Sequence, residues 1–190
     1  MSSSNLNPPT ISRLQNISAW FDAINETIAR GARWLVLLMA IVTFAIVVLR
    51  YAFDLGWVWM QESVIYLHAA FFMLAMGYAM HHDAHVRVDI YYQNFSRERK
   101  ARVDFWGTLF LLFPFCLMVL YFSAGYVFDS YVRLESSPEA GGLPLVFLLK
   151  TLIVILPVLL MLQGTARALR SYLTMQGLES AAETQEAAES

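Results

Sequence analysis

Charge is what this sequence has least of. Only 15% of its 190 residues are Asp, Glu, Lys or Arg, against about 25% in soluble domains, and 58% are hydrophobic. A mean hydropathy of +0.51 sets the chain outside the range of ordinary soluble folds. Cysteine is as scarce. Cys116 stands alone inside an apolar run, so neither an intrachain disulfide nor a thiolate metal site can be built. No Gly-rich phosphate loop, Ser/His/Asp set or paired carboxylates occur, and no internal repeat is visible. An enzyme is therefore not expected, nor is a cofactor or a nucleic-acid partner. Met1-Ser2-Ser3-Ser4 has no basic n-region and the first apolar run begins only after Arg33, so no cleavable signal is expected.

What is present is four uncharged or nearly uncharged runs. They are Trp34 to Leu49, Ser63 to Met80, Phe105 to Phe128, and Leu143 to Ala166 with Lys150 as its one charge. About 20 helical residues cross ~30 Å of hydrocarbon, so the shorter runs must recruit flanking residues. The reading is an all-α integral membrane protein with four transmembrane helices, over about 33–51, 62–81, 104–129 and 143–167. Together these make a membrane domain over residues 31–172.

Orientation follows from the positive charges. Arg13, Arg30, Arg33, Arg87, Arg97, Arg99, Lys100, Arg102, Arg167 and Arg170 share one side in a four-span topology, leaving Arg50, Arg133 and Lys150 for the other. The positive-inside rule then puts both termini in the cytoplasm, with loops 50–62 and 129–142 outside. Trp34, Trp57, Trp59, Trp106, Tyr126 and Tyr131 lie at run ends, as an interfacial aromatic belt would.

The segments between spans carry patterns of their own. Residues 1–11 read as a disordered N-terminus. Leu14, Ile17, Phe21, Ile24 and Ile28 make one apolar helical stripe, with Asp22, Asn25 and Glu26 largely off it. Residues 12–30 therefore form an amphipathic helix before a turn near Gly31. Two readings stay open for it: a helix in the membrane interface or on a partner, and a cytosolic helix capping the bundle. Val86, Val88, Ile90 and Tyr92 alternate with His85, Arg87, Asp89 and Tyr91, which predicts an extended stretch along the membrane surface. A basic cytoplasmic helix begins at Ser96 as N-cap and runs through Arg97–Arg102 into the third span, facing anionic lipid or an acidic partner. Glu135 to Pro144 is turn-rich, and 173–190 reads as a disordered acidic tail.

Few side chains suggest chemistry. His81 and His85 would share a helical face, but no third or fourth ligand accompanies them, and a polar cap ending the second span accounts for them. His68 is the only histidine inside a span, which leaves a transmembrane haem without a second axial ligand. Glu62 either sits at a favourable helix N-terminus or pairs with another subunit. Lys150 either snorkels or forms an ion pair. So few intramembrane polar groups do not equip a lone carrier, which normally surrounds a midplane site with broken helices.

Several of these segments resemble one family. Trp57-Val58-Trp59-Met60-Gln61-Glu62-Ser63 with Tyr66 resembles the Trp-x-Glu-Glu opening of the second span in the small membrane subunits of tripartite ATP-independent periplasmic (TRAP) transporters. Gly77 followed by His85-Val86-Arg87-Val88-Asp89 is similar to their Gly and His-x-Arg-Val-Asp element, and Gly142-Leu143-Pro144 with Lys150 to the approach of their fourth span. Gln61 departs from the pattern, where many relatives have an acidic residue. The resemblance covers roughly residues 30–170 and implies a scaffold for a large membrane subunit that carries an organic acid on a sodium gradient. It also implies a periplasmic binding protein that docks transiently through the outer loops, with no substrate site on this chain. Trp59, Glu62, Tyr66, Gly77, His85, Arg87, Asp89, Pro144 and Lys150 would be its interface or structural residues, with Arg87 and Asp89 fixing the corner between spans two and three. The alternative is a stand-alone four-span membrane sensor or assembly factor.

Overall fold

The computed structural model describes residues 8–82, 92 and 94–178. These form α1 (Pro8–Phe53), α2 (Val58–His81), α3 (Arg97–Gly107), a π-helical turn (Thr108–Leu112), α4 (Phe113–Val132) and α5 (Val146–Met175), with no strand among the described residues. Four helical stretches are long and apolar enough to cross a membrane: Pro9–Phe53, Val58–His81, Arg97–Val132 and Val146–Met175. The third is α3, the π turn and α4 run together. Ser96 caps it as expected, its hydroxyl accepting from the Arg99 amide at 3.4 Å.

The N-terminal segment differs from expectation. The helix starts at Pro8, inside the stretch read as disordered, and passes through Gly31 with no turn. A proline in the first turn forfeits only an N–H that has no partner there. Glycine inside a helix costs about 1 kcal/mol relative to alanine, too little to break a helix held by α2 and α5. At 46 residues α1 is about 69 Å long, over twice the ~30 Å of bilayer hydrocarbon, so its first half projects beyond the apolar layer. Its inward face is Ser18, Asn25 and Ala32, at steps of seven. Leu14, Phe21 and Ile28 edge that face half-buried, while Ile17 is exposed. The polar residues thus pack inward, and the helix touches this chain's own α2 and α5. At the other terminus, helix continues past 173 to Met175 and closes with Gly177 at φ 71° and Leu178 N–H on the Leu173 carbonyl at 3.1 Å.

α5 lies at the centre and touches every other helix, with α1 and α2 packed together beside it and α3–α4 joined to the rest through it. The side of α4 toward α5 holds Cys116, Ser123, Val127 and Ser130, mostly small side chains that let two membrane helices approach closely. The π turn lies just ahead of Pro114, whose missing N–H and ring displace the preceding turn. It closes on Gly164 of α5, where an added Cβ would lie 2.6 Å from Leu112 and 3.0 Å from Phe113. The outward faces stay apolar: Leu37, Ile41 and Phe44 on α1, and Leu117, Tyr121 and Phe122 on α4 are all exposed.

Candidate functional site

Polar side chains gather at the two ends of the helix row. At one end meet the first half of α1, the end of α2, the start of α3 and the end of α5, which carry most of the chain's arginines. Gln163 of α5 is wholly buried and forms the hub. Its Oε1 accepts from Asn25 Nδ2 at 3.0 Å, and its Nε2 donates to Asp22 Oδ1 at 2.7 Å. The second Asp22 oxygen pairs with Arg170, whose guanidinium also donates to Ser18 Oγ at 3.2 Å. Ser18 in turn donates to the Ala166 carbonyl at 3.3 Å. His81, at the end of α2, brings Nδ1 to 3.1 Å from Asp22 Oδ1. The same nitrogen lies 3.2 Å from Gln163 Nε2, so Nδ1 donates to the carboxylate in one tautomer and accepts from the amide in the other. The network joins three helices, and its groups replace water for one another at the membrane boundary.

Gly77 makes this packing possible. An added Cβ there would lie 2.0 Å from Asn25 Oδ1 and 2.8 Å from its Cγ. Close by, Arg167 pairs with Asp104 at 3.0 Å, and Tyr92 donates to the same carboxylate at 2.9 Å. His81, Arg97, Lys100, Asp104, Arg167 and Arg170 border an open cavity of about 430 Å³ here, a predominantly basic concavity at the membrane edge.

At the opposite end, Glu62 holds the loop between α4 and α5. Its Oε2 accepts from the Leu143 amide at 2.6 Å and its Oε1 from Ser137 Oγ. Ser137 Oγ accepts from the Glu139 amide at 3.1 Å, and Gly142 N–H reaches the Glu139 carbonyl at 3.0 Å. Gly142 lies so close that a Cβ would meet Ser137 Oγ at 2.5 Å and Glu62 Oε2 at 2.8 Å. Glu62, near the start of α2, therefore fastens a loop of its own chain. α4 ends with Leu134 at φ 46° and Glu135 N–H on the Ser130 carbonyl at 3.0 Å. That turn aims Glu135 at Lys150, and the two form an ion pair. The hydrogen bond from Lys150, more than any other contact, holds the Glu135 carboxyl below its ordinary range. Lys150 also lies 3.8 Å from the centre of the Tyr126 ring, a cation–π contact beside the ion pair.

Of the residues singled out from sequence, Glu62 and Lys150 lie at the loop end, and Gly77 at the arginine-rich end. The Tyr66 hydroxyl is buried below Glu62 without a hydrogen-bond partner among the described residues. Trp59 and Pro144 are exposed. His85, Arg87 and Asp89 lie outside the described residues, as does the extended stretch expected around them. Asn25, Asp22, Ser18, Gln163 and Arg170 are not among the site residues expected from the sequence. Asn25 and Gln163 are uncharged amides, invisible to a search for ionisable groups, although an amide inside the fourth apolar run was a usable signal.

Four spanning helices with polar clusters confined to their ends define a multi-pass membrane protein whose polar groups fasten helices and loops to one another. Residues 39–174 match the family described as tripartite ATP-independent periplasmic transporters, DctQ component, and the chain belongs to that family. No curated protein and no solved structure matches the chain.

Proposed function

We propose that the chain is the small membrane subunit of a sodium-driven, binding-protein-dependent transporter for organic acids, and that it serves as a scaffold for the large subunit without binding substrate. The observation that carries this reading is the distribution of polarity. Family membership supplies the transporter, while the hydrogen-bonded polar clusters lie at the helix ends, where they hold the chain together. A carrier needs the reverse, polar groups converging on a midplane site. The ten-to-three division of basic residues supports cytoplasmic termini in the inner membrane, with the Glu62-fastened loop facing the binding protein. In this reading Arg87 and Asp89 secure the cytoplasmic corner, and the basic cavity beside α3 faces anionic lipid. Membership in a tripartite family weighs against a stand-alone sensor.

The test is reconstitution. Uptake of an organic acid is expected only when this chain, a large subunit and a binding protein are combined with a sodium gradient. Liposomes holding this chain alone should show no uptake above background, and solute movement there would overturn the scaffold reading. Reporter fusions after residue 95 and at the C-terminus are expected to read as cytoplasmic, and those near residues 55 and 137 as periplasmic. A periplasmic signal from residue 95 would overturn the topology.

A further inference from the structure

One polar group contradicts the pattern of polarity at the ends and grease between. His68 lies ten residues into α2 and thirteen from its end, about 15 Å and about 20 Å along the axis, close to the bilayer midplane. It is exposed, and it makes no hydrogen bond among the described residues. On α2 it shares one narrow stripe with Gln61, Ile65 and Phe72, spaced by four, three and four. All four are exposed, Ile65 at 59% and Phe72 at 53%, because α1 and α5 cover other sides of the helix. Toward the arginine-rich end the same stripe continues as Ala75 and Ala79, whose small side chains let another helix approach.

Lipid accounts for Ile65 and Phe72 but not for His68. Even a neutral imidazole carries one N–H donor and one acceptor nitrogen, and hydrocarbon satisfies neither. From the middle of a span an imidazole cannot snorkel to water as a lysine near a helix end can. Polar side chains at this depth face protein or a water-filled cavity. No other helix among the described residues covers the stripe, so the facing group comes from another chain. The family supplies one inside the same membrane, the large subunit of a tripartite transporter.

We propose that the stripe Gln61–Ile65–His68–Phe72 of α2 docks a transmembrane helix of the large subunit, and that His68 hydrogen-bonds there to a hydroxyl, amide or carboxylate at midplane depth. The proposal rests on the reading of this chain as a partner of the large subunit. Ile65 and Phe72 fill the contact on either side of the imidazole, and Ala75 and Ala79 let the two helices converge toward the cytoplasmic end.

The test uses the co-expressed complex. A photo-crosslinking amino acid at position 65 or 72 is expected to give an adduct with the large subunit. His68→Leu should lower the large subunit recovered with this chain roughly three- to tenfold after a detergent wash, the range an interhelical hydrogen bond commands. His68→Gln, which keeps a donor and an acceptor, should retain most of that recovery. Because His68 makes no hydrogen bond among the described residues, membrane levels of the His68→Leu chain should match wild type. Adducts only with lipid or with a second copy of this chain, or full recovery with His68→Leu while the wild-type subunits co-purify, would overturn the docking stripe. If the wild-type chain recovers no large subunit at all, the scaffold reading falls first and the stripe falls with it.

Discussion

Gly77→Ala is expected to destabilise the membrane domain by about 1–3 kcal/mol in the wild-type chain, but to cost almost nothing when added to a chain that already carries Asn25→Ala. The added Cβ would stand 2.0 Å from Asn25 Oδ1, a distance no packed structure tolerates. Asn25 has nowhere easy to go. It is 1% exposed, and its Nδ2 is held by Gln163 Oε1 at 3.0 Å and the Phe21 carbonyl at 3.2 Å. Either the side chain rotates and forfeits a bond of roughly 1 kcal/mol, or α1 and α2 separate and lose packing worth about 1–3 kcal/mol. Alanine regains about 1 kcal/mol of helix propensity over glycine, which lowers the sum without cancelling it.

The double variant isolates the cause. In Asn25→Ala the Oδ1 and Cγ atoms are gone, and the distance from the new Cβ to the Asn25 Cβ is 3.6 Å, an ordinary contact. Asn25→Ala alone leaves Gln163 Oε1 buried without its donor, at a cost of about 1–3 kcal/mol. Adding Gly77→Ala to that background should then cost almost nothing. Thermal or denaturant unfolding of the four proteins in detergent gives the cycle. Strictly additive losses would mean that Gly77 matters for something other than Asn25.

The same two residues mark what could and could not be read from sequence. The spans were legible because a bilayer demands long apolar runs, and no soluble fold makes four of them at this spacing. Ser96 was legible because capping is local: its hydroxyl serves an amide three residues away. Gly77 could be located through family resemblance, but its neighbour could not, since Asn25 lies on a helix whose apolar stripe pointed the reading to a different face. An apolar moment identifies a packed face only where water is the alternative. Near a membrane amides and carboxylates can turn in to satisfy one another beside a half-buried apolar edge, as Asn25, Asp22 and Gln163 do beside Leu14, Phe21 and Ile28. The turn expected at Gly31 failed for a related reason. Local propensity was read alone, while α2 and α5 keep the helix straight through that glycine.

Glu62→Ala is expected to speed amide exchange at Leu143 by roughly 10- to 100-fold, whereas Glu62→Gln stays within about tenfold of wild type. The carboxylate accepts from Leu143 N–H and from Ser137 Oγ, and these two bonds connect the loop to α2. Hydrogen bonds to a charged acceptor contribute about 1.5–3 kcal/mol each, so removing the acceptor opens the loop locally by that order. A glutamine of the same shape can turn its carbonyl toward Leu143 and offer its amide to Ser137 Oγ, because a hydroxyl accepts as well as donates. Only the charge assistance is lost. If Glu62 instead mattered as the acidic half of an ion pair with another subunit, glutamine would fail as badly as alanine, and Leu143 exchange would not respond to either. Gly142→Ala provides an independent wedge, since its Cβ would meet Ser137 Oγ at 2.5 Å and Glu62 Oε2 at 2.8 Å. It should loosen the same amide with the carboxylate intact. In the assembled transporter, Glu62→Ala and Gly142→Ala should then reduce uptake together while Glu62→Gln largely preserves it, because the loop they share is the surface proposed to meet the binding protein. Normal uptake with a loosened loop would separate the two ideas, keeping Glu62 as the loop's fastening and removing the loop from the docking site.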